Sequence, residues 1–564
     1  MPQAVCRWNW NTILAMAAVL CILTTVSSAQ NFVIGSSNTV TADPPVSRPE
    51  VTPCVVPLFS GSQFVNFNIQ TYQYTPPADC PGPWQKVIFT ADFNVTAGRQ
   101  FDRTAIVDMG FVNLYFGTTP EPRHNLSPSW HVERDLTEYS NLFTNPQTGS
   151  VILGNLVNGT YTGVISGSAA LEFYPADSDR HSGHVADLVL PLRQPNGSGG
   201  FNEPAFLFTP TDQLASTFDL PTNVERAYLD VITQSQFIDE FWYTCVPNDV
   251  ASELQSCGST AFREGEISID GQPAGVAPVY PWIYTGGVDP FFWEPIPGVQ
   301  TLNFVPYRVD LTPFAGVLSN GQAHTVALNV FNSDNYFTAT ATLVLYLDRN
   351  STLVTGAVTK NTIGTATPAV NENITTDASG NISGSVTVNS LRSFRIAGYV
   401  QTSHGRVDTD IRQKVNFNNV QNFVINATTY TQDVTQNTQL DSTVTRTEEG
   451  SPQVTRESFV YPLTLNYTLT FNADGSVTQD GLASLEFDHD IVSPSFASAV
   501  RNRVKSVDTL DLSSSFSITG NSGQQSSQSY MSVDSRGGSY NCVLKAENNA
   551  LTFASEECGH TEDH

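Results

Sequence analysis

Basic residues are scarce: 26 Lys and Arg stand against 53 Asp and Glu, a formal net charge of −27. Such a surface repels phosphate backbones and anionic lipid heads, which argues against nucleic acid and polybasic membrane docking. Charged residues of either sign reach only 14%, so polarity comes from Ser, Thr, Asn and Gln, as in β-proteins whose outward strand faces favour Thr. There is no G-x-S-x-G elbow, H-E-x-x-H pair, phosphate loop or dinucleotide fingerprint, which removes the signatures of several large enzyme classes. No strong 3.6-residue period lasts beyond three turns, apart from short candidates near Pro128–Phe143. Residues 351–564 hold no tryptophan.

The first 29 residues read as a signal peptide. Arg7 precedes the apolar run Ile13–Val26, and Ser27-Ser28-Ala29 supplies small residues before a cut. That run is shorter than the roughly 20 residues needed to span a bilayer. The expectation is a secreted protein with no membrane segment after signal removal. Cys6 and Cys21 leave with the peptide, and Cys54, Cys80, Cys245, Cys257, Cys542 and Cys558 remain. An even count in a secreted chain points to disulfides. Of the fifteen possible pairings, the local couples 54–80, 245–257 and 542–558 are expected. Sequons at Asn94, Asn158, Asn196, Asn350, Asn373, Asn381, Asn426 and Asn466 are expected to carry glycans on turns or outward strand faces, while Asn125 is disfavoured by Pro128.

Strand signals dominate. Val87, Phe89, Ala91, Phe93 and Val95 alternate with Ile88, Thr90, Asp92 and Asn94. Leu463, Leu465, Tyr467, Leu469 and Phe471 alternate with Thr464, Asn466, Thr468 and Thr470, and the turn Ala473-Asp474-Gly475 closes a hairpin. The fold class is therefore all-β. Composition divides the chain into a mobile lead-in (30–51), a first β-block (52–192), a Gly/Ser/Pro linker (193–202), a second block (203–350) and a C-terminal β-rich domain (351–564). Sandwiches or jelly rolls suit blocks of this length.

Candidate chemistry lies where carboxylates meet aromatic rings, because sugars stack their apolar faces on rings and hydrogen-bond carboxylates. Phe101-Asp102-Arg103 follows a strand and a Gly98 turn. Asp239-Glu240-Phe241-Trp242-Tyr243 sets two acids against three rings. Phe262-Arg263-Glu264 follows Cys257, and Trp282–Trp293 is an aromatic loop carrying Asp289. Structural ion pairs and core packing are the competing reading. His181 and His184, with Asp179 and Asp187, match no recognised metal spacing.

Several motifs resemble the peptide N-glycanase A family of plants and fungi. They are Pro81-Gly82-Pro83-Trp84, Gln100-Phe101-Asp102-Arg103, Thr119-Pro120-Glu121-Pro122, Trp130–Asp135, Asp239–Tyr243, Phe262-Arg263-Glu264, Trp282–Gly287 and Ser403-His404-Gly405. The resemblance covers about Cys80 to Asp348 densely. It implies an amidase that acts on N-glycopeptides and glycoproteins, converting the glycosylated asparagine to aspartate. It also implies an acidic working pH and neither metal nor other cofactor.

A second resemblance, to flavobacterial peptide N-glycanases, implies two consecutive jelly rolls with the site at their interface. Phe101-Asp102-Arg103 is similar to a strand-end motif of those enzymes, and Leu220–Leu229 to the strand entering their second domain. Glu240 takes the place of their interface glutamate. Their further glutamate has no counterpart near Asn155–Tyr161. On this basis Asp102 and Glu240 are the expected catalytic residues. Asp239 competes with Glu240 for the cleft, and Arg103 or Arg263 would face the oxyanion. Trp242, Glu264, Trp282 and Asp289 complete the expected substrate site. A lectin-like binder and a glycosidase with paired carboxylates remain the alternatives.

Overall fold

The computed structural model describes residues 32–176, 185–193 and 205–559. The signal segment, Asn196, His181, His184 and Asp179 lie outside them, as does all but Arg193 of the expected linker. The first unit contains β1 (Cys54–Phe64), β2 (Gln70–Tyr74), β3 (Trp84–Val95), β4 (Thr104–Met109), β5 (Val112–Thr118), β6 (Ser129–Asp135), β7 (Gln147–Leu153) and β8 (Ile165–Pro175). Its two sheets run β1-β8-β3-β6 and β2-β7-β4-β5. This order, two interleaved Greek keys in facing sheets, is a jelly roll. The alternation in β3 does what the sequence implies: Val87, Phe89, Ala91, Phe93 and Val95 are buried between the sheets, and the Asn94 sequon faces out.

The second unit repeats that order. Its strands are β9 (Leu188–Pro191), β10 (Ala205–Leu207), β11 (Leu214–Asp219), β12 (Val224–Ser235), β13 (Glu264–Ile269), β14 (Gln272–Pro278), β15 (Tyr307–Asp310), β16 (Ala323–Phe331) and β17 (Phe337–Leu347). The sheets run β10-β17-β12-β15 and β11-β16-β13-β14, with β9 added alongside β17. One boundary differs from the compositional reading. β9 belongs to the second unit although it precedes residue 192, because its apolar Leu188–Leu190 pairs with Leu343–Leu345. Two further strands, β10 and β11, come before β12. The segment Pro128–Phe143 is a strand followed by the 3₁₀ turn Thr137–Thr144, not a longer helix.

Beyond Asp348 the chain forms one eleven-stranded antiparallel sheet. It comprises β18 (Thr355–Asn361), β19 (Ala369–Thr376), β20 (Ile382–Thr402), β21 (Gly405–Ile425), β22 (Thr429–Glu448), β23 (Ser451–Phe471), β24 (Val477–Val492), β25 (Ala497–Leu512), β26 (Ile518–Asp534), β27 (Ser539–Glu547) and β28 (Ala550–Ala554). Several of these strands run 16 to 21 residues, against about 5–6 in ordinary sheets. They stay in register because one face is buried: Val388, Phe417, Val434, Leu440, Leu463, Leu465 and Leu485 share one core with the second jelly roll, interspersed with buried amides such as Asn419 and Gln421. His404 and Gly405 (φ +111°) turn the β20–β21 hairpin.

Residues 32–51 are not the loose lead-in that their polarity and prolines suggest. The backbone N–H of Gly35 donates to Leu551 O (2.8 Å) and that of Val40 to Pro295 O (3.0 Å). The N–H of Ala42 donates to Gln528 Oε1 (2.7 Å), and Arg48 pairs with Glu133 (2.6 Å) and Glu172 (3.2 Å). Prolines keep this strap extended, so its backbone groups bond to all three units in place of a sheet. Disulfides join Cys54–Cys80, Cys245–Cys257 and Cys542–Cys558, the local couples expected.

A carboxyl pair sits where the second jelly roll meets the sheet. Asp289 and Asp508 are both buried and hydrogen-bonded side chain to side chain. Burial raises Asp289 to about 6, against favourable contributions from the Phe291 N–H and Arg123. Burial, then the Asp289 charge, raises Asp508 to about 7. Both folded-state values exceed the ordinary 3.8. The stability these groups contribute is therefore complete below about pH 4 and is lost as pH rises through about 6 to 7. Thermal unfolding should show a Tm that falls between about pH 4 and 7.5, and Asp508→Asn should flatten part of that fall. An identical slope in the variant would refute the assignment.

Candidate active site

The two jelly rolls meet along an edge where polar side chains from each cross over. Gln100 is buried and ties the approach to β4 by donating to Asn155 Oδ1 and to Gly163 O (3.0 Å). Its Oε1 accepts from the Phe101 N–H (2.9 Å). Gly98 (φ +148°) makes the turn before it, and a Cβ there would lie 2.6 Å from Gly163 N. The Arg103 N–H donates to Thr119 Oγ1 (2.9 Å), and Thr119 N–H returns to Arg103 O (2.9 Å). This exchange places Asp102 beside the segment after β5, where Glu121 stands between Pro120 and Pro122. The Asp102 backbone N–H lies near the Glu121 carboxyl and opposes its upward shift.

The second jelly roll closes over this pair. Thr104 Oγ1 donates to Gln234 Oε1 (3.1 Å), and Thr285 Oγ1 donates to Thr119 O (2.9 Å). Gly286 then passes so close that a Cβ on it would be 2.0 Å from Glu121 Oε2 and 3.1 Å from Asp102 Oδ1. One point touching both carboxylates makes them neighbours. The absence of a side chain at Gly286 is what lets the loop approach. Glu240 arrives from the end of β12 on the 3₁₀ turn Phe237–Asp239. Its N–H donates to Phe237 O (3.3 Å), and its carbonyl accepts from Ser235 Oγ (3.3 Å). Its carboxyl is half-buried and makes no hydrogen bond among the described residues.

Three carboxyls thus share one cleft, and their proton affinities separate. Burial raises Asp102 to about 6, opposed by Arg103. Burial and then the charge of Asp102 raise Glu121 to about 7. Burial and then the charges of Asp102 and Glu121 raise Glu240 to about 8. Arg103 is the cation next to them, its guanidinium over the Phe101 ring (5.5 Å) and its Nε buried with no hydrogen-bond partner. Tyr161 packs against Phe101 (5.2 Å) and completes that wall. Carboxyl groups pushed apart in this way can serve as base and acid in one reaction.

The remaining expected site residues lie inside the packing. Asp239 does not compete for the cleft: it is buried and paired with Arg263 (2.7 Å), so Arg263 cannot face an oxyanion. The segment is a 3₁₀ turn rather than a strand, which sends Asp239 inward and Glu240 outward. Trp242 is buried against Tyr243 and Phe417. Glu264 is buried in a pair with Arg392 of the C-terminal sheet. Trp282 packs at a tilt against Phe304 (4.4 Å), and Asp289 is the partner of Asp508. Asp187, the described member of the supposed metal group, accepts from the Leu347 N–H and pairs with Arg349. These are packed interior or surface groups, although Trp242 Nε1, Arg263 Nη2, Glu264 Oε2, Trp282 Nε1 and Asp289 Oδ2 are buried without a hydrogen-bond partner among the described residues.

The cleft's third acid, Glu121, was missed as a functional residue. Its only signal was the Thr-Pro-Glu-Pro motif, in which flanking prolines fix the backbone of an acid. The C-terminal sheet contributes from behind. Asn419 Nδ2 donates to Tyr243 O (2.8 Å), Gln432 Nε2 to Thr244 O (2.9 Å) and Gln421 Nε2 to Cys245 O (2.9 Å). These buried amides satisfy the carbonyls of the turn that follows Glu240.

Residues 55–363 match the model of the family described as peptide N-acetyl-beta-D-glucosaminyl asparaginase amidase A, and residues 385–463 match the C-terminal domain model of the same proteins. The peptide-N4-(N-acetyl-beta-glucosaminyl)asparagine amidase A of Prunus dulcis is 33% identical over 363 residues, 61% of this chain and 62% of that relative. The aligned part thus spans less than two thirds of that relative's length. Among solved structures, PNGase F, a glycosylasparaginase from Flavobacterium meningosepticum, aligns at a TM-score of 0.36 and 14% identity, covering 53% of this chain and 96% of its own. PNGF-II aligns at 0.37 and 13%, covering 52% and 66%. The jelly-roll assignment rests on the strand order and not on these superpositions. The chain is a member of the peptide N-acetyl-beta-D-glucosaminyl asparaginase amidase A family.

Proposed function

We propose that this chain is a secreted amidase that hydrolyses the amide bond between asparagine and the first N-acetylglucosamine of N-glycopeptides and glycoproteins. The observation that carries the reading is the cluster of Asp102, Glu121 and Glu240 at the junction of the two jelly rolls, in a chain of this family. Asp102, the most acidic of the three, takes a proton from water as the water oxygen attacks the side-chain carbonyl carbon. Arg103 stabilises the oxyanion that forms. Glu240, which holds its proton longest, gives it to the nitrogen as the carbon–nitrogen bond breaks. Glu121, beside Asp102, shares the site's proton. The products are aspartate and a glycosylamine, which loses ammonia in water. Three disulfides support passage through an oxidising compartment.

The pH dependence follows from these roles. The base must be ionised and the acid protonated, so kcat/KM should form a bell with limbs near pH 6 and pH 8. This is less acid than the family resemblance implies. A single rising limb would remove Glu240 as the acid. The function itself is tested by incubating a short N-glycopeptide with the protein and weighing the peptide. Loss of the whole glycan supports the amidase. A peptide keeping one N-acetylglucosamine indicates a glycosidase, and an intact peptide across glycoforms indicates a lectin.

A further inference from the structure

Shortly before Glu240 the chain exposes two apolar side chains. Phe237 is 68% exposed and Ile238 42%. The backbone of Phe237 is left-handed (φ +52°), a conformation that a bulky residue avoids unless its surroundings impose it. The surroundings do impose it. The Gln236 N–H donates to Tyr336 O (2.9 Å), Tyr336 N–H returns to Gln236 O (3.3 Å), and the Ile238 N–H donates to Asn335 O (2.9 Å). One residue on, buried Asp239 accepts from the Asp334 N–H (2.6 Å) and from Arg263 (2.7 Å). The turn is therefore clamped from both sides while its aromatic ring is held in solvent. Such strain, retained at a site, points from geometry towards function.

Aromatic rings stand on the segment paired with this turn. Tyr336, which exchanges backbone hydrogen bonds with Gln236, contacts Phe206 (5.3 Å) and Phe208 (5.4 Å), and Phe208 is 49% exposed just after β10. Burial raises the Tyr336 phenol, and Tyr336 lies close enough to Glu240 for the carboxylate's charge to raise it further. Phe237 stands three residues before Glu240, in the same turn, whose Glu240 N–H donates to Phe237 O. The most exposed rings carry no charge and are flat, the complement of the C–H face of a pyranose. An enzyme that acts on many glycoproteins meets a variable peptide and a recurrent glycan. Rigid aromatic anchors are useful only for the recurrent part.

We infer that Phe237, with Phe208 and Tyr336, forms a glycan-binding surface beside Glu240 that stacks on sugar rings beyond the asparagine-linked one. This rests on the amidase reading for its substrate, but its test does not. A purified oligomannose N-glycan, free of peptide, is titrated calorimetrically into the wild-type protein, Phe237→Asn and Phe237→Tyr. Asn tolerates the left-handed backbone, so the ring is removed without displacing the turn. The free glycan should bind roughly tenfold more weakly to Phe237→Asn and nearly as well to Phe237→Tyr. In turnover, the KM advantage of a full-glycan peptide over the same peptide bearing a single N-acetylglucosamine should shrink by a similar factor. Unchanged glycan affinity in Phe237→Asn, or a KM effect that follows peptide length instead, overturns the inference. If the wild-type protein binds the glycan through Phe237 yet leaves every glycopeptide intact, the amidase reading fails and the binding surface stands.

Discussion

Asp102→Asn should lose at least about 10³-fold in kcat, within the range that a positioned general base supplies, while its Tm stays close to that of the wild type. The two halves of this expectation have one cause. Burial lifts the Asp102 carboxyl to about 6, with the Arg103 charge only partly offsetting it, so its ionised form is held at some cost to the fold. A neutral amide of the same shape removes that cost and keeps the side-chain volume. It cannot accept the proton of the attacking water. Steady-state turnover of a glycopeptide and thermal unfolding, read side by side, check both halves. A variant with near-native kcat would sink the role of Asp102. A variant that unfolds would show that Asp102 is structural.

Arg263→Ala should do the reverse, destabilising the protein by about 3–5 kcal/mol because it leaves a charge buried without its partner. Arg263 and Asp239 are both almost completely buried, and the guanidinium also donates to Ser259 O (3.1 Å), Thr260 O (2.9 Å) and Phe262 O (2.9 Å). Removing it takes a donor from three carbonyls and one carboxylate at once. The pair clamps the turn that carries Glu240, so activity falls through the fold and not through chemistry. Denaturant unfolding measures the loss, and the double variant Asp239→Asn, Arg263→Met should regain part of it. A stable but inactive Arg263→Ala would instead restore the sequence-based role of Arg263 at the oxyanion.

The contrast between Asp102 and Arg263 shows how far the sequence reaches. Period-two alternation in β3 and β23 is a local signal, and it identified strands and buried faces correctly. The local cysteine couples were equally legible, because short loops bring their ends together cheaply. Which carboxylates share a cleft is not local. Asp239 and Glu240 are adjacent in the chain, yet one meets Arg263 and the other meets Asp102 from the opposite jelly roll. Glu121, 19 positions from Asp102, enters the cleft only because the Thr119–Arg103 exchange and the bare Cα of Gly286 allow it. Aromatic density misled in the same way. Trp242 and Trp282 lie in acidic, ring-rich segments and are core, whereas Phe237, held in an improbable backbone conformation, stands in solvent. The C-terminal sheet was legible as β-rich, but its buried amides on the carbonyls of 243–245 could be read only from coordinates.

The central claim is that water attacks the asparagine side-chain carbonyl inside the carboxyl cluster, and isotope incorporation tests it most directly. A glycopeptide is turned over in ¹⁸O water, and the released peptide is sequenced by mass spectrometry. The account predicts aspartate at the former glycosylation site, carrying one ¹⁸O in its side-chain carboxylate, with none formed by Asp102→Asn. Unlabelled asparagine at that position, freed of its sugar or still bearing one N-acetylglucosamine, would mean that another bond is cut and would contradict it.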